Sequence, residues 1–208
     1  MTSTRPTTPQ AAWDAMREGN RRFVSGALAH PRQDIDHREA LAAAQKPFAA
    51  LFGCADSRLS AEIIFDVGLG DLFVVRNAGQ VIAETILGSL EYSVEVLGVP
   101  LILVLGHDEC GAIRATIDST EGKLTANGQF IKNIVNRIEP TVREANKRGL
   151  RDIDDITVLH VEETINEMIT RSEIIADAVS NGRLGIVGSN YKLVEGEIHP
   201  IFLVGELA

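Results

Sequence analysis

The chain of 208 residues has two cysteines, no run of Lys or Arg, no long apolar stretch and no low-complexity tract. Each shortage excludes something. Two cysteines cannot staple a disulfide scaffold, and a chain of this length buries a core without staples, so both thiols are free for chemistry. With 29 acidic against 20 basic residues the net charge is −9, and no basic block is available to neutralise a phosphate backbone. Nucleic acid is excluded as the expected partner. The longest uncharged apolar run, Val96 to Gly106, is eleven residues and is broken by Gly98 and Pro100; a bilayer span needs roughly 20. No membrane association is expected. Residues 1–10 are polar and Thr-rich without an apolar h-region, which predicts neither a signal nor a transit peptide and a reducing, cytoplasmic setting. No internal repeat and no Pro/Ser linker divides the chain, so the expectation is a flexible tail over residues 1–8 followed by a single domain over 9–208.

What is present is ordinary for a folded domain, 45% hydrophobic and 24% charged. Thr8 is placed to cap a helix that starts at Pro9 and carries Trp13, Met16, Phe23 and Val24 at helical spacing before Gly26. That helix forms an N-terminal arm whose apolar face needs a partner, on its own domain or on a second subunit. A short helix is expected over Arg38–Gln45. Apolar runs at Phe48–Gly53, Asp71–Arg76, Pro100–Gly106 and Arg183–Ser189 read as buried strands, with helical stretches at Val81–Leu97 and Asp152–Val179 between them. Such alternation predicts an α/β fold, a mostly parallel central sheet with helices on both faces. Glu197–Val204 adds an edge strand at the C-terminal end.

Open parallel sheets bind ligands beyond the carboxyl ends of their strands. Two of those ends here carry reactive side chains, Cys54-Ala55-Asp56-Ser57-Arg58 after the first strand and Gly106-His107-Asp108-Glu109-Cys110-Gly111 after the third. If the two strands are neighbours, Cys54, His107 and Cys110 converge, and two thiolates with one neutral imidazole suit a borderline-soft ion such as Zn²⁺. Three ligands leave a fourth position. Asp56 either fills it, closing the site, or turns to a two-point contact with Arg58 and leaves it open to water. A single buried Cys is more often a small core hydrophobe than a ligand; it is the pairing of Cys-x-Asp-x-Arg with His-x-x-Cys at two strand ends that makes the metal reading specific. The segment Gly106 to Gly111 is not a phosphate loop, because Ala112 and Ile113 stand where Lys and Ser/Thr are needed.

These motifs resemble the β-class carbonic anhydrases, whose signature is Cys-x-Asp-Ser-Arg followed about fifty residues later by His-x-x-Cys-Gly. The resemblance extends through Phe73-Val74-Val75-Arg76-Asn77-Ala78-Gly79 and Gly88-Ser89-Leu90-Glu91-Tyr92 to Gly188 and Tyr191. It implies one Zn²⁺ per subunit on Cys54, His107 and Cys110, with Asp56 as a fourth ligand in a closed state and the Asp56/Arg58 pair acting as a gate. It also implies reversible hydration of carbon dioxide to bicarbonate and a proton, by a hydroxide that the ion carries. Gln45, Phe73, Tyr92 and Gly111 are the implied substrate pocket, shared between subunits of a homodimer; whether dimers pair into a homotetramer is left open by the sequence. Leu51 stands where some bacterial relatives have the Trp of an inhibitory bicarbonate site, so no such site is expected.

Read without the resemblance, Phe73 is a core residue of a strand and Gln45 a helix-end residue. Tyr92 lies about 200° around its helix from Leu90, off the Ile86, Leu90 and Val94 stripe and beside Gly88 and Ser89. His30, His160 and His199 read as solvated or core imidazoles, and His37 is kept as a candidate proton carrier. Two alternatives use the same ligands: a non-catalytic zinc module with Asp56 as permanent ligand, and the same fold hydrolysing carbon disulfide or carbonyl sulfide. A two-thiolate first shell is formally neutral and acidifies water less than an all-imidazole one. Hydration is therefore expected to rise through neutral pH into the alkaline range, and a flat stopped-flow profile between about pH 6 and 9 would exclude that shell.

Overall fold

Residues 101–107, Leu-Ile-Leu-Val-Leu-Gly-His, are buried without exception, which is possible for a strand only when both faces of its sheet are covered. In the computed structural model, which describes residues 5–207, this strand lies at the centre. The elements run α1 (Pro9–Val24), α2 (Ile35–Leu41), β1 (Ala49–Cys54), α3 (Ala61–Ile64), β2 (Leu72–Asn77), α4 (Glu84–Glu95), β3 (Leu101–His107), α5 (Gly111–Thr120), α6 (Gln129–Lys147), α7 (Ile153–Arg171), α8 (Glu173–Ser180), β4 (Gly185–Tyr191) and β5 (Ile198–Val204). The sheet order is β2-β1-β3-β4-β5. The first four strands are parallel and β5 is antiparallel to β4. This is the α/β architecture expected from the alternating pattern. No helix among the described residues is long and apolar enough to cross a membrane.

Alternate residues of each strand feed the two layers. Leu51, Leu101, Leu103 and Leu105 pack with Trp13 and Met16 of α1, Ile64 of α3, Ile113 of α5 and Ile138 of α6. Ala50, Phe52, Ile102 and Val104 pack with Leu87 and Leu90 of α4, Val161 and Ile165 of α7, and Ile175 of α8. The arm helix lies on its own domain. Thr8 Oγ1 caps it by accepting from Ala11 N. Asn20 Nδ2 donates to Ile64 O (3.2 Å) and Gly196 O (2.8 Å), and its Oδ1 accepts from Ile198 N (3.1 Å). Of the tail expected over residues 1–8, the first four lie outside the described residues, and Arg5 and Pro6 are half-buried.

Several boundaries differ from the sequence pattern for local reasons. The second helix is Ile35–Leu41, not Arg38–Gln45. Asp34 caps it by accepting from His37 N (2.8 Å), and beyond it Pro47 biases Lys46 toward extended backbone. Regular helix begins at Glu84 rather than Val81, because the Asn77 side chain folds residues 77–81 into a turn. Its Nδ2 donates to Val81 O and its Oδ1 accepts from Val81 N. The long stretch Asp152–Val179 breaks at Ser172, whose hydroxyl accepts from Ile175 N (3.2 Å) as a new cap and donates to Glu91 Oε1 (2.6 Å); a serine with such partners competes with helical continuation. Helices α5 and α6 were not anticipated. Each parallel strand ends one or two residues later than its apolar run, so Cys54 and His107 are the last strand residues rather than the first loop residues.

The loop that follows α1 is tied down by Asp66, whose side chain is only 1% exposed. It accepts from Arg22 Nε (2.5 Å), Ala29 N (2.9 Å) and His30 N (2.9 Å). Burial by itself would raise this carboxyl; Arg22 and the two backbone N–H groups outweigh it and hold Asp66 below the ordinary carboxylate range. A depressed native pKa means that the stabilisation is complete above the unfolded-state value of roughly 3.9 and is lost as pH falls through the native one. Asp66→Asn is therefore expected to cost about 2–4 kcal/mol at neutral pH, with the gap to wild type shrinking below about pH 4. Urea unfolding at both pH values checks this, and a gap independent of pH would contradict it.

Candidate metal centre

Strands β1 and β3 are hydrogen-bonded neighbours, with Gly53 opposite Leu105, so Cys54 and His107 emerge side by side at their carboxyl ends. Two residues on, Glu109 takes a left-handed conformation (φ 49°), and this turns the chain so that Cys110 becomes the N-cap of α5. The Sγ atoms of Cys54 and Cys110 and a ring nitrogen of His107 all lie within 4.8 Å of one another. All three residues are buried. Among the described residues this is the one group of three or more potential ligands close enough to share an ion.

Two observations show that the group fits a metal. His107 Nδ1 lies 2.7 Å from Asp108 O; a carbonyl only accepts, so the proton is on Nδ1 and the lone pair is on Nε2. That Nε2 is buried without any hydrogen-bond partner, an arrangement costly for a plain core histidine and required of a ligand. The sulfurs supply the second observation. Cys54 is drawn below the ordinary thiol range, first by its contact with the Cys110 sulfhydryl and then, against its own burial, by the N–H of Gly79. Cys110 is pushed up in turn, first by Cys54 and then by burial. Of the two sulfurs Cys54 is the more readily ionised, and a divalent ion would favour ionising both. The three side chains border a cavity of about 10 Å³, the scale of one water or one ion.

Asp56 lies beside this group with both oxygens engaged. Oδ1 accepts from Arg58 N (2.9 Å) and Arg58 Nε (2.9 Å), and Oδ2 accepts from Arg58 Nη2 (2.7 Å). The Arg58 guanidinium holds the carboxyl well below the usual range. Arg58 Nη2 also reaches Glu109 O (3.3 Å), linking the loop after β1 to the loop that carries Cys110.

Sequence reasoning assigned no role to Arg76, Gly79 or Asp108, and gave His160 no place near the site. Arg76 Nε donates to Cys54 O (2.9 Å) and its Nη2 to Asp56 O (2.6 Å), so β2 clamps the backbone of the Cys54–Asp56 loop. Gly79 N donates to Cys54 Sγ (3.4 Å). Asp108 anchors the other loop, with Oδ1 accepting from Leu193 N (3.0 Å). His160 is buried on α7, hydrogen-bonded to Gly79 O and bordering the same small cavity. Arg76 and Gly79 fall inside the motif Phe73 to Gly79, so the signal was on the page for those two; nothing in local sequence pointed to His160.

The implied pocket residues behave differently. Gln45 is exposed and precedes β1, so β1's six residues, roughly 20 Å at about 3.3 Å each, lie between it and Cys54. Phe73 pairs with Ala50, near the start of β1. It is half-buried rather than core, and its ring lies 6.1 Å, centroid to centroid, from that of Tyr92, which is 45% exposed. Gly111 is exposed at the first turn of α5, beside the ligands. His37 is half-buried at the amino end of the sheet, with Nε2 3.1 Å from Leu69 O, where it lines a separate cavity with Phe48 and Asp71. Within one subunit, then, Asp56, Arg58 and Gly111 share the carboxyl end of the sheet with the three ligands, whereas Gln45, Phe73, Tyr92 and His37 do not.

Comparison with known proteins agrees with this geometry. The profile of the family described as carbonic anhydrase matches residues 49–198. Carbonic anhydrase 2 of Mycobacterium tuberculosis is 50% identical over 190 residues, covering 91% of both chains. The carbonic anhydrase of Mycolicibacterium smegmatis is 48% identical over 190 residues, covering 91% of this chain and 92% of that one. The solved Coccomyxa beta-carbonic anhydrase in complex with acetazolamide superposes with a TM-score of 0.71 at 25% identity, over 90% of this chain and 85% of that one. The chain belongs to the carbonic anhydrase family and is an enzyme, a lyase. Within that family its five-stranded, mostly parallel sheet and its motifs put it in the β class.

Proposed function

We propose that this enzyme hydrates carbon dioxide reversibly to bicarbonate and a proton at a zinc ion held by Cys54 Sγ, His107 Nε2 and Cys110 Sγ. The observation that carries the reading is the engagement of Asp56 by Arg58, beside three buried donors of which one, Nε2, has no partner in the protein. Bound there, the ion supplies Lewis acidity, lowering the pKa of water so that a hydroxide nucleophile is available near neutral pH.

The chain's own groups do the rest. Arg58 occupies three of the acceptor positions of Asp56, two on Oδ1 and one on Oδ2, and so keeps the carboxylate off the fourth position. One lone pair remains on Oδ2. It can accept the O–H of the nucleophile and turn the nucleophile's own lone pair toward the carbon of the incoming substrate. The contact with Arg58 lowers the Asp56 pKa and makes the carboxylate a weak base, which favours orientation over general base catalysis as its role. Arg76 and Asp108 keep the two loops in register, and Gly111 borders the site at the start of α5. A non-catalytic site braced by Asp56 as permanent fourth ligand is disfavoured because that carboxylate is already paired.

Carbon dioxide is apolar, and its pocket needs a dry wall, to which Ile113 contributes by lining the small cavity at the ligands. Gln45, Phe73 and Tyr92 lie too far from their own ligands to provide it, yet Phe73 and Tyr92 form a half-exposed aromatic pair. We read these residues as completing the site of a second copy, which makes a homodimer the minimal active unit. Assembly of dimers into a homotetramer is compatible with this.

The primary test is stopped-flow carbon dioxide hydration by purified, zinc-loaded protein; absence of turnover would refute the proposal. Cys54→Ala and Cys110→Ala are each expected to lose bound zinc, measured as metal content per subunit. Arg58→Lys is expected to retain zinc and lose at least about 100-fold in turnover, because an ammonium cannot make the planar two-point contact that holds Asp56. Normal turnover by the Lys variant would remove the gate from the mechanism.

A further inference from the structure

His160 is 7% exposed and lies on α7, which packs across β3 and β4. The helix comes this close because residue 106 has no side chain. A Cβ there would stand 2.6 Å from Val161 Cγ2 and 3.2 Å from Thr157 Cγ2, distances that packing does not allow. His160 Nε2 consequently reaches Gly79 O at 2.8 Å. Since a carbonyl only accepts, Nε2 carries the proton. Burial, acting first and outweighing the Gly79 carbonyl and Glu163, pushes the imidazole below its ordinary range, which keeps it neutral.

The residue it holds is unusual. Gly79 has φ 75°, and Gln80, which follows, has φ 53°, a left-handed conformation that a residue with a side chain adopts only where the surroundings enforce it. Two consecutive left-handed residues form a sharp turn, and this turn is what directs Gly79 N–H at Cys54 Sγ, 3.4 Å away. No alternative residue fits position 79, since a Cβ there would lie 2.8 Å from both Ala112 Cβ and Ile138 Cδ1. From α7 to the sulfur the path is therefore continuous: imidazole N–H to Gly79 carbonyl, then Gly79 amide N–H to the thiolate.

We propose that His160 is a positioning residue for the metal centre, holding the Gly79–Gln80 turn so that the Gly79 N–H stays on the Cys54 sulfur. The inference rests on the reading of Cys54 as a zinc ligand and goes beyond it by assigning a supporting group outside the ligand motifs. A hydrogen bond to a ligating thiolate withdraws charge and fixes its direction. Groups in this position commonly set metal affinity by a factor of about 10–100.

The test is zinc affinity, measured by chelator competition, for the wild type, His160→Leu and His160→Gln. Leucine fills the space but strands the Gly79 carbonyl, and a 10- to 100-fold weaker zinc complex is expected. Glutamine packs less well yet restores an N–H donor, and it should recover most of the lost affinity. Recovery by Gln but not Leu cannot arise from packing. Wild-type affinity in the Leu variant, or no recovery in the Gln variant, overturns the role of His160 while leaving zinc binding intact. Wild-type protein that binds no zinc overturns the metal reading as well. Nitrogen-15 NMR of the wild-type imidazole decides the matter even if the Leu variant does not fold, since a proton on Nδ1 instead of Nε2 would eliminate the donor.

Discussion

Everything at the carboxyl end of this sheet follows from placing two sulfurs and one imidazole nitrogen within 4.8 Å of one another in a buried site. Such a cluster is unfavourable for a protein by itself. Burial penalises thiolates, two of them repel each other, and a buried imidazole nitrogen without a partner loses its hydration for nothing in return. The arrangement makes physical sense when a divalent cation completes it, and the surrounding structure is organised to hold the donors in readiness. His107 is locked in one tautomer by Asp108 O, and Cys54 is biased toward the thiolate by its neighbours.

Three elements outside the ligand set keep that cluster in shape, each by a different force. Arg76, from β2, clamps two carbonyls of the loop after β1. Arg58 pairs with Asp56 and extends to Glu109 O, joining the two ligand loops. On the interior side α7 presses against Gly106 and delivers His160 to the turn at Gly79. Arginines thus organise the solvent side and close packing organises the core side.

A parallel sheet also separates its two ends by the length of a strand, and this divides the labour of the site. Cys54, His107, Cys110, Asp56, Arg58 and Gly111 gather at the carboxyl end; Gln45, Phe73 and Tyr92 gather nearer the amino end of β1 and β2. A chain built this way presents these two groups of residues on different surfaces. Symmetric pairing of two identical subunits brings unlike surfaces together, and it does so twice, which is the geometric basis of the proposal that two copies share a site.

Composition and periodicity were enough to determine the α/β alternation, the buried strands, the capped N-terminal helix and the placing of Cys54, His107 and Cys110 at strand ends, because each depends on residues close together in the chain. Boundaries were less legible where a side chain redirected the backbone, as Asp34, Asn77 and Ser172 do through hydrogen bonds that a hydrophobic pattern does not register. Which way Asp56 faces was undecidable from sequence, since both states use the same residues and differ only in distance to Arg58. The neighbourhood of β1 and β3, the unpaired Nε2 of His107 and the approach of His160 across 81 residues of chain belonged to tertiary structure alone. They depend on how a distant helix packs against a glycine, and packing is a property of surfaces that meet only once the chain has folded.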